Sequence, residues 1–170
     1  LDECGPANFF GIRGNSYITP QSHSILPSIT NKSLQQLATD MGLTVERRPV
    51  PVEEICHPDA VIITHLHRDH FDKEAALHLE KKIPVFVQNT EDQETVIKYG
   101  FQDVRILNKH TDFHDIILTK TKGQHGYVGK EDLERFGNVC GVVFRSASEK
   151  TIYLAGDTIW NQDVSDAIEA

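Results

Sequence analysis

A mixed α/β fold is predicted by three features of the 170-residue sequence. Short β-branched runs alternate with helix-length segments between residues 60 and 107. A strand-rich stretch follows, from 115 to 156. Hydrophobic residues make up 39%, enough for the core of one domain, so a single unit over 1–170 is expected.

The elements follow in order. Residues 1–30 are rich in Gly, Pro, Asn and Ser and read as irregular. "SLQQLATDM" (33–41) predicts a short helix stopped by Gly42. "VPVEEI" predicts an extended segment restricted by two nearby prolines. "AVIIT" (60–64) is short, β-branched and continuous, as a buried strand is. "DKEAALHLEKK" (72–82) predicts a helix capped by Asp72, with Lys81 and Lys82 at its negative end. "VFV" (85–87) and "VRIL" (104–107) predict strands on either side of a helix, "EDQETVIKYG" (91–100). "DIILTKTKG" (115–123) alternates like a half-buried strand. "VCGVVFRS" and "TIYLAG" predict two more strands, joined by a hairpin turn at "ASEK". "QDVSDAIEA" (162–170) begins a last helix.

Composition narrows the function. The net charge is −8 and no basic block stands out, so a nucleic-acid partner is not favoured. No apolar run reaches the ~20 residues of a membrane span. The opening "LDECGP" lacks the basic start and apolar stretch of a secretory leader, and it lacks Met, so the gene product is expected to begin upstream. Cys4, Cys56 and Cys140 are odd in number and widely spaced, which argues against a disulfide framework and for a reducing cytoplasm. A small-molecule substrate is the expected partner, and a homo-oligomer stays open.

The chemistry concentrates in "THLHRDHFD" (64–72), directly after the apolar "DAVII". In an extended segment, residues two apart point the same way, so His65 and His67 project together, roughly 7 Å apart along the backbone. Asp69 continues that parity, whereas His70 faces elsewhere unless the chain turns. Two ligand sets aimed at neighbouring points suit two metals. Imidazole and carboxylate without thiolate is the ligand chemistry of catalytic zinc or a similar divalent ion. Random placement produces HxHxDH roughly 0.002 times per chain of this length, so the match is no accident of composition. Downstream partners are His125 in "TKGQHG" and Asp157 in "YLAGDT", both in loops beyond a strand end. Arg68 is a candidate contact for an anionic substrate group. Tyr127, Lys130 and Phe136 are candidate substrate contacts in a loop after His125. No GxSxG, GxGxxG or P-loop is present, so neither a serine nucleophile nor a nucleotide cofactor is suggested.

The three motifs, in this order and spacing, resemble the metallo-β-lactamase-fold superfamily, and most closely its branch of metallo-hydrolases that includes the ascorbate-6-phosphate lactonases. "LPSITN…VPVEEICHPDAVIITHLHRDHFD" also reads like that branch, and the resemblance runs from about residue 50 to the end. It implies an αββα four-layer sandwich, here incomplete at both ends: early strands are missing, as is a later histidine for the second metal. It implies that His65, His67 and His125 hold a first metal, that Asp69 and His70 hold a second, and that Asp157 bridges them. One or two Zn2+ ions are implied, with Mn2+ or Fe as alternatives. The implied activity is hydrolysis of a small ester, lactone or phosphorylated metabolite by hydroxide generated at the metal, with Asp69 orienting it or passing on its proton. Competing readings are a nuclease or phosphodiesterase of the same superfamily, a catalytically incomplete relative, and an iron-binding member of flavodiiron or dioxygenase type.

Overall fold

The computed structural model describes residues 3–4, 7–8, 10–21, 23, 25, 28–55, 57–68, 70–126 and 137–169. The chain divides into two compact units, Leu1–His57 and Pro58–Ala170, where the sequence led to one. The physical reason lies in the pairing: among the described residues, each sheet is built from strands of one unit.

The first unit contains strands that its composition conceals. Glu3–Cys4 (β1) pairs antiparallel with Ala7–Asn8 (β2). Gly11–Arg13 (β3) runs antiparallel to Ser16–Pro20 (β4), and Thr44–Arg48 (β5) pairs parallel to β4. The region expected to be irregular therefore builds most of a sheet. Proline ends β4, where its missing N–H costs little.

The crossover between the parallel strands is a helix, Ile29–Asp40 (α1), capped by Ser28 through the Asn31 N–H. It starts four residues before the predicted helix. Asn31 ties it to β4: the Tyr17 hydroxyl donates to Asn31 Oδ1 at 3.0 Å, and Asn31 Nδ2 donates to Thr19 Oγ1 at 2.9 Å. Tyr17 and Thr19 share a face because they lie two apart in a strand. "VPVEEI", expected to be extended, instead forms one helical turn at Val52–Ile55 (α2). Pro51 precedes it, where proline's fixed φ favours a helix start, and Glu54 closes onto Arg48 in a two-pronged ion pair at 2.6 and 2.8 Å.

The second unit is layered. Val61–Ile62 (β6), Pro84–Val87 (β7) and Asp103–Ile106 (β8) form a parallel sheet in the order β6-β7-β8. Its connections are the helices Lys73–His78 (α3) and Thr90–Lys98 (α4), capped by Asp72 and Asn89. The α3 helix is shorter than predicted, because Leu79 turns extended. Lys81 still serves the helix end from outside it: its ammonium donates to the Ala76 carbonyl and lies 4.2 Å from the Phe101 ring centre.

Thr111–Phe113 (β9), Ile116–Lys122 (β10), Cys140–Ser146 (β11) and Ile152–Leu154 (β12) make an antiparallel sheet in the order β12-β11-β10-β9. β9 went unread in the sequence: it is three residues long and joins β10 through a turn with His114 at φ 54°. Gln162–Glu169 (α5) lies against β10 with Val164 buried.

Alternation along β7 explains the layers. Val85 and Val87 pack with Ala76 and Val96 of the helices, while Phe86 points the other way and meets Leu107, Leu118 and Val142. The order is thus helices, parallel sheet, antiparallel sheet, helix: the αββα layering that the sequence implied.

Phe86 is fully buried between the sheets and meets Phe113 edge-on, with ring centres 5.2 Å apart. Phe86→Ala is expected to cost about 3–5 kcal/mol, read from urea unfolding by far-UV circular dichroism. A loss under about 1 kcal/mol would mean that the sheets do not stack through this ring.

Candidate metal centre

The cluster is assembled from three loops at strand ends. The first follows β6. Ile63 still bonds the Phe86 carbonyl at 2.9 Å, and the Thr64 carbonyl accepts from the Cys140 N–H at 3.3 Å. Those two bonds set the loop's departure from the sheet. His65 comes next and is only 2% exposed.

A tight turn then reverses the chain. The N–H groups of His70 and Phe71 both donate to the His67 carbonyl, at 3.0 and 2.9 Å. Phe71 anchors the turn by burying its ring beside Tyr99 and Phe101. His70, out of phase in an extended reading, is thereby carried back onto His65, with ring centres 4.1 Å apart.

The second loop follows β10 and carries His125, whose ring centre is 5.1 Å from that of His67 and 5.7 Å from that of His65. The third follows β12 and carries Asp157. Gly156 lets this loop approach: its φ is +70°, and a Cβ there would lie 2.6 Å from the Cys140 carbonyl oxygen. Asp157 Oδ2 then sits 3.1 Å from His70 Nε2, 3.6 Å from His125 Nε2 and 3.7 Å from His65 Nε2.

Two overlapping triads result. Ligand atoms of His65, His67 and His125 lie within 4.8 Å of one another, and so do those of His65, His70 and Asp157. Five of the six expected ligands come together. The sixth, Asp69, lies outside the described residues, as do Tyr127, Lys130 and Phe136. Arg68 is described and exposed, and it belongs to neither triad. His70 and Asp157 also line a pocket of about 320 Å³ that Thr64, Gly156, Ile62 and Leu154 help to wall.

The donor set fits a cation. Thr64 Oγ1 is 3.1 Å from His65 Nδ1, which occupies that side of the ring. The other nitrogen, Nε2, is buried and has no hydrogen-bond partner among the described residues. An unpaired buried nitrogen is costly, and a ligated cation would remove that cost. Burial pushes the His65 pKa down to about 4, helped by repulsion from His70, His67 and His125 and opposed by Asp157. A neutral imidazole is the form that ligates metal. Cys140 takes no part: it is buried, its thiol contacts the Thr64 carbonyl, and burial raises its pKa to about 11. Sequence reasoning overlooked the residues that steady the loops, Thr64, Gln124 and Thr158. Their signal was adjacency: each threonine precedes or follows a ligand candidate by one position.

Comparison with known proteins finds two kinds of likeness, and the first runs past the unit boundary to include His65 and His67. Residues 1–67 match the family described as "Amino-transferase class IV". Branched-chain-amino-acid aminotransferase 1, mitochondrial, of Arabidopsis thaliana is 43% identical over 65 residues, covering 38% of this chain and 17% of that protein. "LPSITN…VPVEEI", taken from the sequence as part of the metallo-hydrolase resemblance, falls inside the aminotransferase match.

UPF0173 protein YddR of Bacillus subtilis (strain 168) is 51% identical over 110 residues, covering 65% of this chain and 43% of that protein. Two crystal structures are similar, each over 71% of this chain and 48% of their own. A possible metal-dependent hydrolase from Veillonella parvula DSM 2008 has a TM-score of 0.69 at 40% identity. An isothiocyanate hydrolase from Delia radicum gut bacteria has a TM-score of 0.67 at 36% identity. The chain thus spans less than half the length of YddR and of both structures.

The depressed pKa of His65 has a measurable consequence in the metal-free protein. In the unfolded chain His65 binds its proton near the ordinary value of 6.5, whereas the folded site resists it until about 4. Stability is therefore expected to fall as pH drops through that window and to level off below it. Histidine NMR titration should show one ring still neutral at pH 5. A full set of rings titrating near 6.5 would contradict the burial described.

Proposed function

We propose that the second unit is the metal-binding core of a metal-dependent hydrolase, with His65, His67, His125, His70 and Asp157 holding one or two divalent cations. The observation that carries this reading is the buried Nε2 of His65, which has no hydrogen-bond partner among the described residues and is faced by three other imidazoles and a carboxylate. Zinc suits this ligand set first, with manganese or iron as alternatives. A divalent cation held there lowers the pKa of water toward ~7 and polarises an electrophilic centre.

The chain's own groups supply the rest. His65 stays neutral and oriented through Thr64. Asp157 carries the negative charge that offsets a cation and keeps His70 in place. Asp69, which the resemblance makes a ligand of a second cation, would also orient the nucleophile or pass its proton to the leaving group. Arg68, Tyr127 and Lys130 are proposed as substrate contacts.

The proposed substrate is a small ester, lactone or phosphorylated metabolite, met in the cytoplasm. The net charge of −8 speaks against a nucleic-acid substrate. A second substrate class is favoured by the 36% identity to a structure named as an isothiocyanate hydrolase: a small neutral molecule with an electrophilic carbon between nitrogen and sulfur.

Elemental analysis of the purified chain, paired with a screen of lactones, phosphodiesters and isothiocyanates, tests the proposal. His67→Ala is expected to lose metal and to lower metal-dependent turnover by more than about 100-fold, because even outer partners of a ligand cost 10–100-fold. The variant should keep the far-UV spectrum of the parent. Survival of both turnover and metal content would show that the first triad is not the site.

A further inference from the structure

We propose that Thr158 is a positioning residue that holds the His125 loop against the Asp157 loop, so that both side chains reach one cation. The inference rests on the reading of the cluster as a cation site.

Residues 123–126 and 155–159 lie outside the sheets, so no strand ladder fixes their separation. Two hydrogen bonds join them instead. The Gln124 N–H donates to Thr158 Oγ1 at 2.9 Å, and the Ile159 N–H donates to the Gln124 carbonyl at 2.9 Å. The Thr158 hydroxyl then gives its own proton to the Ile159 carbonyl at 3.0 Å. Its accepting and donating capacities are both used.

Packing reinforces the link. A Cβ on Gly123 would lie 3.3 Å from Thr158 Cβ and 3.1 Å from Val139 Cγ2, so the loop backbone is pressed onto the threonine. Gln124 Nε2 donates to the Gly126 carbonyl at 3.1 Å, which closes the loop around His125. Residue 124 adjoins one candidate ligand and residue 158 the other. The link therefore joins the chain neighbours of His125 and Asp157, whose Nε2 and Oδ2 lie 3.6 Å apart. Thr158 belongs to neither ligand triad and acts through the loops.

The chemistry required is a hydroxyl that donates and accepts at once. Serine meets that requirement; valine, of the same shape, does not, and it leaves the Gln124 N–H without its acceptor.

The test uses the full chain, stripped of metal and titrated with Co2+ alone, reading affinity and the visible absorption of the bound ion. Thr158→Val and Thr158→Ala are both expected to bind Co2+ about 10–100-fold more weakly, as loss of outer-shell support does, and with an altered spectrum from a displaced ligand. Thr158→Ser should restore the affinity and spectrum of the parent. Far-UV circular dichroism of the metal-free proteins reports folding, and the alanine variant decides the matter if valine does not fit. Parent-like affinity and spectrum in the hydroxyl-free variants would overturn the inference, as would a serine variant as weak as valine. A parent chain that takes up no Co2+ overturns the cation reading and this inference together, whereas binding that ignores Thr158 overturns this inference alone.

Discussion

One oxygen of Asp157 lies within 3.7 Å of the Nε2 atoms of three histidines, drawn from two other loops. Beside burial, the rings of His70, His67 and His125 help to keep a proton off His65 by repulsion. Burial raises the cost for His65, whose ring is held neutral while one nitrogen lacks a partner. Such a cluster persists only where the surrounding structure imposes it. The rest of the second unit can be understood as the means of imposing it.

The imposition begins with two stacked sheets. Phe86, Leu107, Leu118 and Val142 fill the space between them and fix how far the end of β6 lies from the ends of β10 and β12. Backbone contacts then refine that distance. Thr64 bonds Cys140 across the sheets, and Gly156 allows the Asp157 loop to ride close over the same residue. The turn after His67 supplies the remaining ring, and Phe71 secures it in the helical layer. Packing thus sets the loops, and the loops set the ligands.

Much of the second unit was legible because its signals are local. β-branched runs marked β6, β7 and β8, and the HxHxDH spacing marked the first loop. His125 and Asp157 were found by their position after strands, although nothing in their own neighbourhood identifies them. The placement of His70 was harder to read, since it depends on two hydrogen bonds to one carbonyl in a turn. The role of Thr158 was hard to read for a similar reason: its partner is 34 residues away.

The first unit misled more. Gly, Pro and Asn between short strands gave residues 1–30 the look of a loop, while pairing makes strands of Gly11–Arg13 and Ser16–Pro20. A proline pair suggested extended chain where Pro51 instead starts a helical turn. Similarity to class IV aminotransferases runs over 1–67, through the first unit and on to the first two histidines of the cluster. The most direct test of the convergent cluster is anomalous diffraction at the zinc edge from crystals of the chain grown with Zn2+. A peak among the side chains of His65, His67, His70, His125 and Asp157 is the expected result. A zinc peak elsewhere, with these side chains ordered and none between them, would contradict it.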